Sequence, residues 1–242
     1  MKLQIKEVSV TFEQEQILQR LNLDIREGEF VALVGPSGCG KSTLLNILAG
    51  VLRPESGSIL VDDTPVTGIS SHFAYMPQSD LLLPWKTILE NVTLYGKLHG
   101  RAKEAQAAAM KELPVFGLQG YETSYPDELS GGMRQRAAFL RTALCSADIM
   151  LLDEPFGALD VITREEMQDW LLKLRSQLGR TTLLVTHDID EALYLADRIV
   201  VLGGRPAVIR RIIDLTDVEK SRDWLYEQGQ LRKDIHNILK YG

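Results

Sequence analysis

Residues 35–43 read Gly35-Pro36-Ser37-Gly38-Cys39-Gly40-Lys41-Ser42-Thr43. This is the phosphate-binding loop pattern, two glycines enclosing four residues and followed by Lys and Ser. The apolar run Phe30-Val31-Ala32-Leu33-Val34 precedes it, and Leu44-Leu45-Asn46-Ile47-Leu48-Ala49 follows. Those flanks predict the strand and helix that the pattern requires. Glycines let the backbone curl so that its N–H groups face a polyphosphate, and the helix N-terminus adds a partial positive charge. Gly35–Thr43 is therefore the expected nucleotide cradle. Lys41 can reach the β- and γ-phosphates, and Ser42 can offer its hydroxyl to Mg2+.

The 242 residues suffice for one sizeable domain or a domain with an inserted lobe. Hydrophobic residues make up 45% and charged residues 25%, ordinary values for a globular protein. A net charge of −6 shows no basic excess, so no nucleic-acid partner is expected. The apolar runs stay far short of the roughly 20 residues needed to span a bilayer. Met1–Glu7 alternates polar and apolar residues and reads as lacking a signal-peptide core. Cys39 and Cys145 provide no disulfide framework, which suits a reduced, cytosolic chain. Cys39 lies beside a helix N-terminus, a position that lowers a thiol's pKa, and Cys145 is expected to be buried and inert.

Working outward, the alternation in Leu3–Val10 and at Leu21, Leu23 and Ile25 predicts an antiparallel N-terminal layer. Short strands follow at Ser58–Val61 and Phe73–Met76, after the turn residues Pro54-Glu55-Ser56-Gly57. Residues 87–112 read as helices, and a helical period returns over Gly131–Leu144. Ile149-Met150-Leu151-Leu152 has the form of a central parallel strand, Thr163–Leu178 of an amphipathic helix. Thr181–Val185, Arg198–Leu202 and Ala207–Ile213 supply further strands. The fold class is thus α/β: a P-loop NTPase (RecA-like) core with an N-terminal antiparallel β layer and an inserted α-helical subdomain. The expected division is one domain over 1–215, its helical insert at about 80–145, and a C-terminal helical tail at 216–242.

Two more signatures narrow the chemistry. Asp153 and Glu154 end a predicted strand. The first is placed to hold Mg2+, and the second to accept a proton from an attacking water. Leu129-Ser130-Gly131-Gly132-Met133-Arg134-Gln135-Arg136 opens a helix with a capping Ser and exposed N–H groups. A second phosphate-gripping helix start, without its own Lys, makes sense if it meets the same γ-phosphate from the opposite side.

Taken together these motifs resemble the ATP-binding cassette (ABC) family, over roughly residues 3–215. The resemblance implies a head-to-tail homodimer with each ATP between one phosphate loop and the partner's Ser130, Gly131 and Gly132. It implies that Gln78 coordinates Mg2+ and the attacking water, that His187 contacts the γ-phosphate, and that Phe12 stacks on adenine. Ala158-Leu159-Asp160 resembles the loop that crosses the dimer interface. Leu82, Leu83, Pro84 and Trp85, with Asn91-Val92 and Met133–Arg136, look most like the nitrate, sulfonate, taurine and thiamine-precursor importer group. Two readings of these apolar loop residues stand: core of the helical lobe, or, favoured by the resemblance, a groove for a coupling helix of a separate integral membrane permease, fed indirectly by a solute-binding protein, on the cytoplasmic face of the cell membrane. Arg205-Pro206 matches a short motif late in such chains, with Ala207 where glycine is usual. The alternative is a soluble, non-transport ABC ATPase acting on ribosomes, DNA or Fe–S assembly. Against it stand a single cassette, a lobe too short for a long coiled coil, and an acidic pI near 5.3. A purely regulatory nucleotide-binding module would not need Asp153, Glu154 and His187.

Overall fold

A computed structural model describes residues 1–241, the side chains at 174, 176–178 and 241 excepted. The N-terminal strands β1 (Leu3–Phe12) and β2 (Glu15–Ile25) pair antiparallel, and Phe12 lies opposite Glu15 at the hairpin end. β3 (Phe30–Val34) runs into the Gly35–Gly40 loop and then α1 (Lys41–Leu48). β4 (Ser56–Val61) and the two-residue β5 (Thr64–Pro65) complete a four-stranded antiparallel sheet of order β2-β1-β4-β5. After β6 (Phe73–Met76) come three helices, α2 (Ile88–Val92), α3 (Leu94–Leu98) and α4 (Ala102–Glu112), a 3-10 turn at Pro126–Glu128, and α5 (Gly131–Ala143). β7 (Ile149–Asp153), α6 (Val161–Leu178), β8 (Thr181–Thr186), α7 (Ile189–Leu195) and β9 (Arg198–Gly203) follow, then β10 (Val208–Asp214), α8 (Arg222–Glu227) and α9 (Gly229–Tyr241).

The second sheet has the order β10-β9-β3-β8-β7-β6, parallel throughout except for β10. Its central strands β3, β7 and β8 are buried at every residue. That is why they read as continuous apolar runs: a parallel sheet is covered on both faces. Successive side chains of a strand point to opposite faces, and the two cores follow that rule. Phe30, Ala32 and Val34 join Met150 and Leu152 under the helices, while Val31 and Leu33 join Ile149 and Leu151 against α1 and the antiparallel sheet.

An aromatic knot ties the helical segment to the sheet. The Phe139 ring of α5 meets Phe116, Phe156 and Trp170 edge-on at centroid distances of 6.1, 5.9 and 5.4 Å. Each ring buries a large apolar area, and edge-on geometry suits the ring quadrupoles. Gly50 closes α1 at φ +76°, where a Cβ would lie 2.1 Å from the Gly68 backbone, so only glycine fits. The tail packs through buried Leu225 and Ile235 onto the helix-side core, with the Lys220 ammonium over the Trp224 ring at 4.8 Å.

Candidate functional site

β3 delivers the Gly35–Gly40 loop to the end of the parallel sheet, where β7 and β8 also end. The loop curls through Gly38 at φ +75° and Gly40 at φ +100°. A Cβ on Gly40 would stand 2.8 Å from Ile17 and 2.9 Å from Leu18, so the loop rests directly on the start of β2. The buried Lys41 ammonium donates to the carbonyl oxygens of Gly35 at 2.7 Å and Pro36 at 2.9 Å. These bonds hold it inside the curl. One residue on, the Ser42 hydroxyl donates to Asp153 Oδ1 at 3.0 Å. Burial, the dominant cause, raises the Asp153 pKa above the usual carboxylate value. Pro36, Ser37 and Thr43 belong to the same loop and first helical turn.

Glu154 follows with φ +49°, a left-handed backbone that a non-glycine residue adopts at a cost of about 1–2 kcal/mol. Its N–H bonds the Val185 carbonyl at 2.9 Å. In this pose one carboxylate oxygen accepts from Gln78 Nε2 at 3.1 Å, and the other stands 3.3 Å from His187 Nδ1. Gln78 comes from just after β6, Glu154 from the end of β7 and His187 from the end of β8, three neighbouring parallel strands. Gln78, Gln135, Glu154, Gly157, Ala158 and His187 line an open cavity of about 220 Å³. A carboxylate there, steered by an amide and an imidazole, can orient a water and take its proton.

The donor pair of Ser42 and Asp153, a hydroxyl and a carboxylate, is all oxygen and suits a hard divalent cation. Among the described residues no cluster of three His, Cys, Asp or Glu could hold a metal by itself. Mg2+ is commonly held by one or two protein groups plus substrate phosphates, and the residues present fit that arrangement.

Ser130 caps α5 by accepting from the Met133 N–H at 3.3 Å, with Ser130 and Gly131 exposed and Gly132 half-buried. Gly132 abuts Ala158 and Leu159, whose atoms lie 3.6–3.7 Å from where its Cβ would be. Asp160 is exposed and caps α6 through the Thr163 N–H at 3.1 Å. Phe12 is 43% exposed, so its ring is free of the core.

Three positions depart from the sequence reading. The Cys39 thiol lies buried under Gly35, and burial raises its pKa in spite of the helix N-terminus and Lys41. Leu82 turns into the helix-side core at 8% exposure and Leu81 takes its place outside, beside Pro84, half-buried Leu83 and 70%-exposed Trp85. The Leu159 side chain is buried as well, leaving Ala158 and Asp160 exposed in that loop. Cys145 is half-buried, with its thiol pKa raised by burial.

Several polar residues to which pattern reading gave no bracing role hold these loops in place. The buried Asn91 accepts from the Leu83 N–H at 2.7 Å and donates to the Leu83, Lys86 and Thr87 carbonyls, fixing the loop before α2. Arg141 of α5 donates to the Leu81 and Asp80 carbonyls, both at 2.7 Å, and Arg134 pairs with Asp80 at 3.1 Å. The helix that opens at Ser130 is thus bolted to the segment that follows Gln78. Beneath His187, the Thr186 hydroxyl donates to Glu191 at 2.6 Å and accepts from the Asp188 N–H at 3.0 Å. Arg164 reaches the Leu159 carbonyl at 3.2 Å and Asp188 at 3.5 Å. Their partners lie far along the chain or in a short helix with little amphipathic period, so no local sequence pattern signals them.

A phosphate loop, a strand-end Asp-Glu pair and an imidazole on adjacent strands define a nucleotide-hydrolysing P-loop protein. The ABC transporter family model matches residues 18–157, more than half of the chain. An uncharacterised ABC transporter ATP-binding protein of Methanocaldococcus jannaschii is 43% identical, covering 99% of this chain and 91% of its own length. The aliphatic sulfonates import ATP-binding protein SsuB of Bacillus cereus is 41% identical over 100% of this chain and 97% of itself. The formylaminopyrimidine import ATP-binding protein ThiZ of Halalkalibacterium halodurans is also 41% identical, over 98% and 96%. Among solved structures, a dimeric ATP-binding cassette bound to ADP and phosphate superimposes with a TM-score of 0.79 at 32% identity, covering 88% of this chain and 98% of that one. The chain belongs to the ABC transporter family, and it is an ATPase of that family.

Proposed function

We propose that this chain is the ATP-hydrolysing subunit of an ABC importer for a small solute such as a sulfonate, nitrate or a thiamine precursor. The observation that carries the hydrolytic half is the Glu154 carboxylate held between Gln78 and His187 beside the phosphate loop. The names of the sulfonate and formylaminopyrimidine relatives support the import half. On this reading residues 1–215 are the cassette, with the helical insert at about 80–145, and 216–242 is a packing tail.

ATP lies along Gly35–Thr43 with its base on Phe12. Lys41 leaves the Gly35 and Pro36 carbonyls for the β- and γ-phosphates. Ser42, Asp153 and Gln78 would hold Mg2+, which would neutralise phosphate oxygens. Two copies close head to tail, so that Ser130, Gly131 and Gly132 of one copy donate to the γ-phosphate bound by the other. Ala158 and Asp160 lie along that seam, and a dimeric relative supports the arrangement. Glu154 then takes a proton from the attacking water while His187 and Lys41 steady the phosphate charge.

Closure reaches the membrane through the exposed Leu81, Pro84 and Trp85 with Leu83, braced from behind by Asn91 and Arg141. No helix among the described residues is long and apolar enough to cross a membrane. That supports a translocation path in a separate permease, with this subunit bound to its cytoplasmic side and a solute-binding protein acting outside. The test is uptake of a labelled alkanesulfonate by cells lacking this gene. Uptake restored by the wild type and not by Glu154→Gln supports the reading; uptake unaffected by the deletion refutes sulfonate as the solute.

A further inference from the structure

Arg205, of the Arg205-Pro206 pair noted in the sequence, has no part in the site described above, yet its guanidinium lies against the phosphate loop. Its Nη2 is 3.3 Å from where a Cβ on Gly38 would be. Its Nη1 is 3.5 Å from Glu15 Oε1, and Glu15 is the cross-strand partner of Phe12. The turn that carries it is sewn to β2: the Ala207 N–H donates to the Ile17 carbonyl at 2.8 Å, and Ala207 bridges Leu18. Ile17 and Leu18 are the residues on which Gly40 rests. Arg205 therefore stands between the ring at one end of the site and the phosphate loop at the other.

We propose that Arg205 is a nucleotide-binding residue, its guanidinium contacting the ribose-proximal phosphates of a nucleoside di- or triphosphate. This rests on the nucleotide lying between Phe12 and the phosphate loop. The Glu15 pair is no obstacle, because both side chains are more than half exposed and such pairs are weak. A polyphosphate offers a guanidinium several anionic oxygens and bidentate geometry in place of one carboxylate. The fork matters as well as the charge, so lysine is a partial substitute.

The experiment titrates fluorescent ATP and ADP analogues against wild type, Arg205→Ala, Arg205→Lys and Lys41→Ala at two salt concentrations. Arg205→Ala weakens both nucleotides by about tenfold and flattens the salt dependence, and Arg205→Lys recovers part of the loss. Unchanged affinity in Arg205→Ala, with Lys41→Ala still losing binding, overturns the role of Arg205 and leaves the phosphate loop standing. Unchanged affinity in Lys41→Ala fails the nucleotide site itself. Melting curves accompany the titration. An equal loss in both Arg205 variants, with lowered melting temperatures, assigns the effect to the turn and overturns the proposal.

Discussion

Glu191 is the acid whose ionisation is most at odds with its surroundings. It is 4% exposed, three residues into α7, and its pKa is pushed up to about 7. Burial is the main cause and Asp188 adds to it, while the Thr186 hydroxyl, Arg164 and His187 pull the other way. The folded pKa lies above the unfolded value of 4.5. Glu191 thus contributes stability that is fully present below about pH 4.5 and is lost as pH rises through 7. The difference between 4.5 and about 7 corresponds to about 3.4 kcal/mol in full, of which about 2.5 kcal/mol falls between pH 5 and 8. Glu191→Gln removes the titration while keeping an oxygen for the Thr186 hydroxyl. Urea denaturation of both proteins at pH 5, 6, 7 and 8 measures the difference. The variant gains on the wild type by roughly 2 kcal/mol or more across that range, with no change in the slope of unfolding against urea. Parallel pH profiles would show that Glu191 is not held protonated by its burial.

Two further outcomes follow from the packing. Phe139→Ala removes the hub of the ring cluster with Phe116, Phe156 and Trp170, and is expected to cost about 3–5 kcal/mol in urea unfolding; a loss under 1 kcal/mol would mean the helical segment is not anchored there. Alkylation of Cys39 is expected to be slow at neutral pH, to quicken as the pH rises past the ordinary thiol range, to be blocked by bound ATP, and to abolish ATP binding once complete; full modification with binding intact would refute the placement of its thiol beneath the loop.

The α/β architecture was legible because strands buried on both faces leave unbroken apolar runs, as in Phe30–Val34 and Ile149–Leu152. The phosphate loop was legible because its glycines are forced by backbone geometry: Gly38 and Gly40 both sit at positive φ. Loop side chains were not. Whether Leu81 or Leu82 faces outward depends on Asn91, eight residues beyond Leu83, and Arg141, sixty residues beyond Leu81. No local pattern carries that information. Cys39 misled for a similar reason, since a helix N-terminus is visible in sequence and the desolvation that outweighs it is not. α7 stayed hidden because it is short and buried at most positions, which leaves little amphipathic period to detect.

The central claim is that two copies close on ATP and that Glu154 opens them again by hydrolysis. Light scattering after size-exclusion chromatography of Glu154→Gln, with and without MgATP, tests it most directly. The account predicts a monomer without nucleotide and a stable dimer with it, lost again when Ser130→Arg is added. A Glu154→Gln protein that stays monomeric at saturating ATP, alone and with its permease, would contradict it.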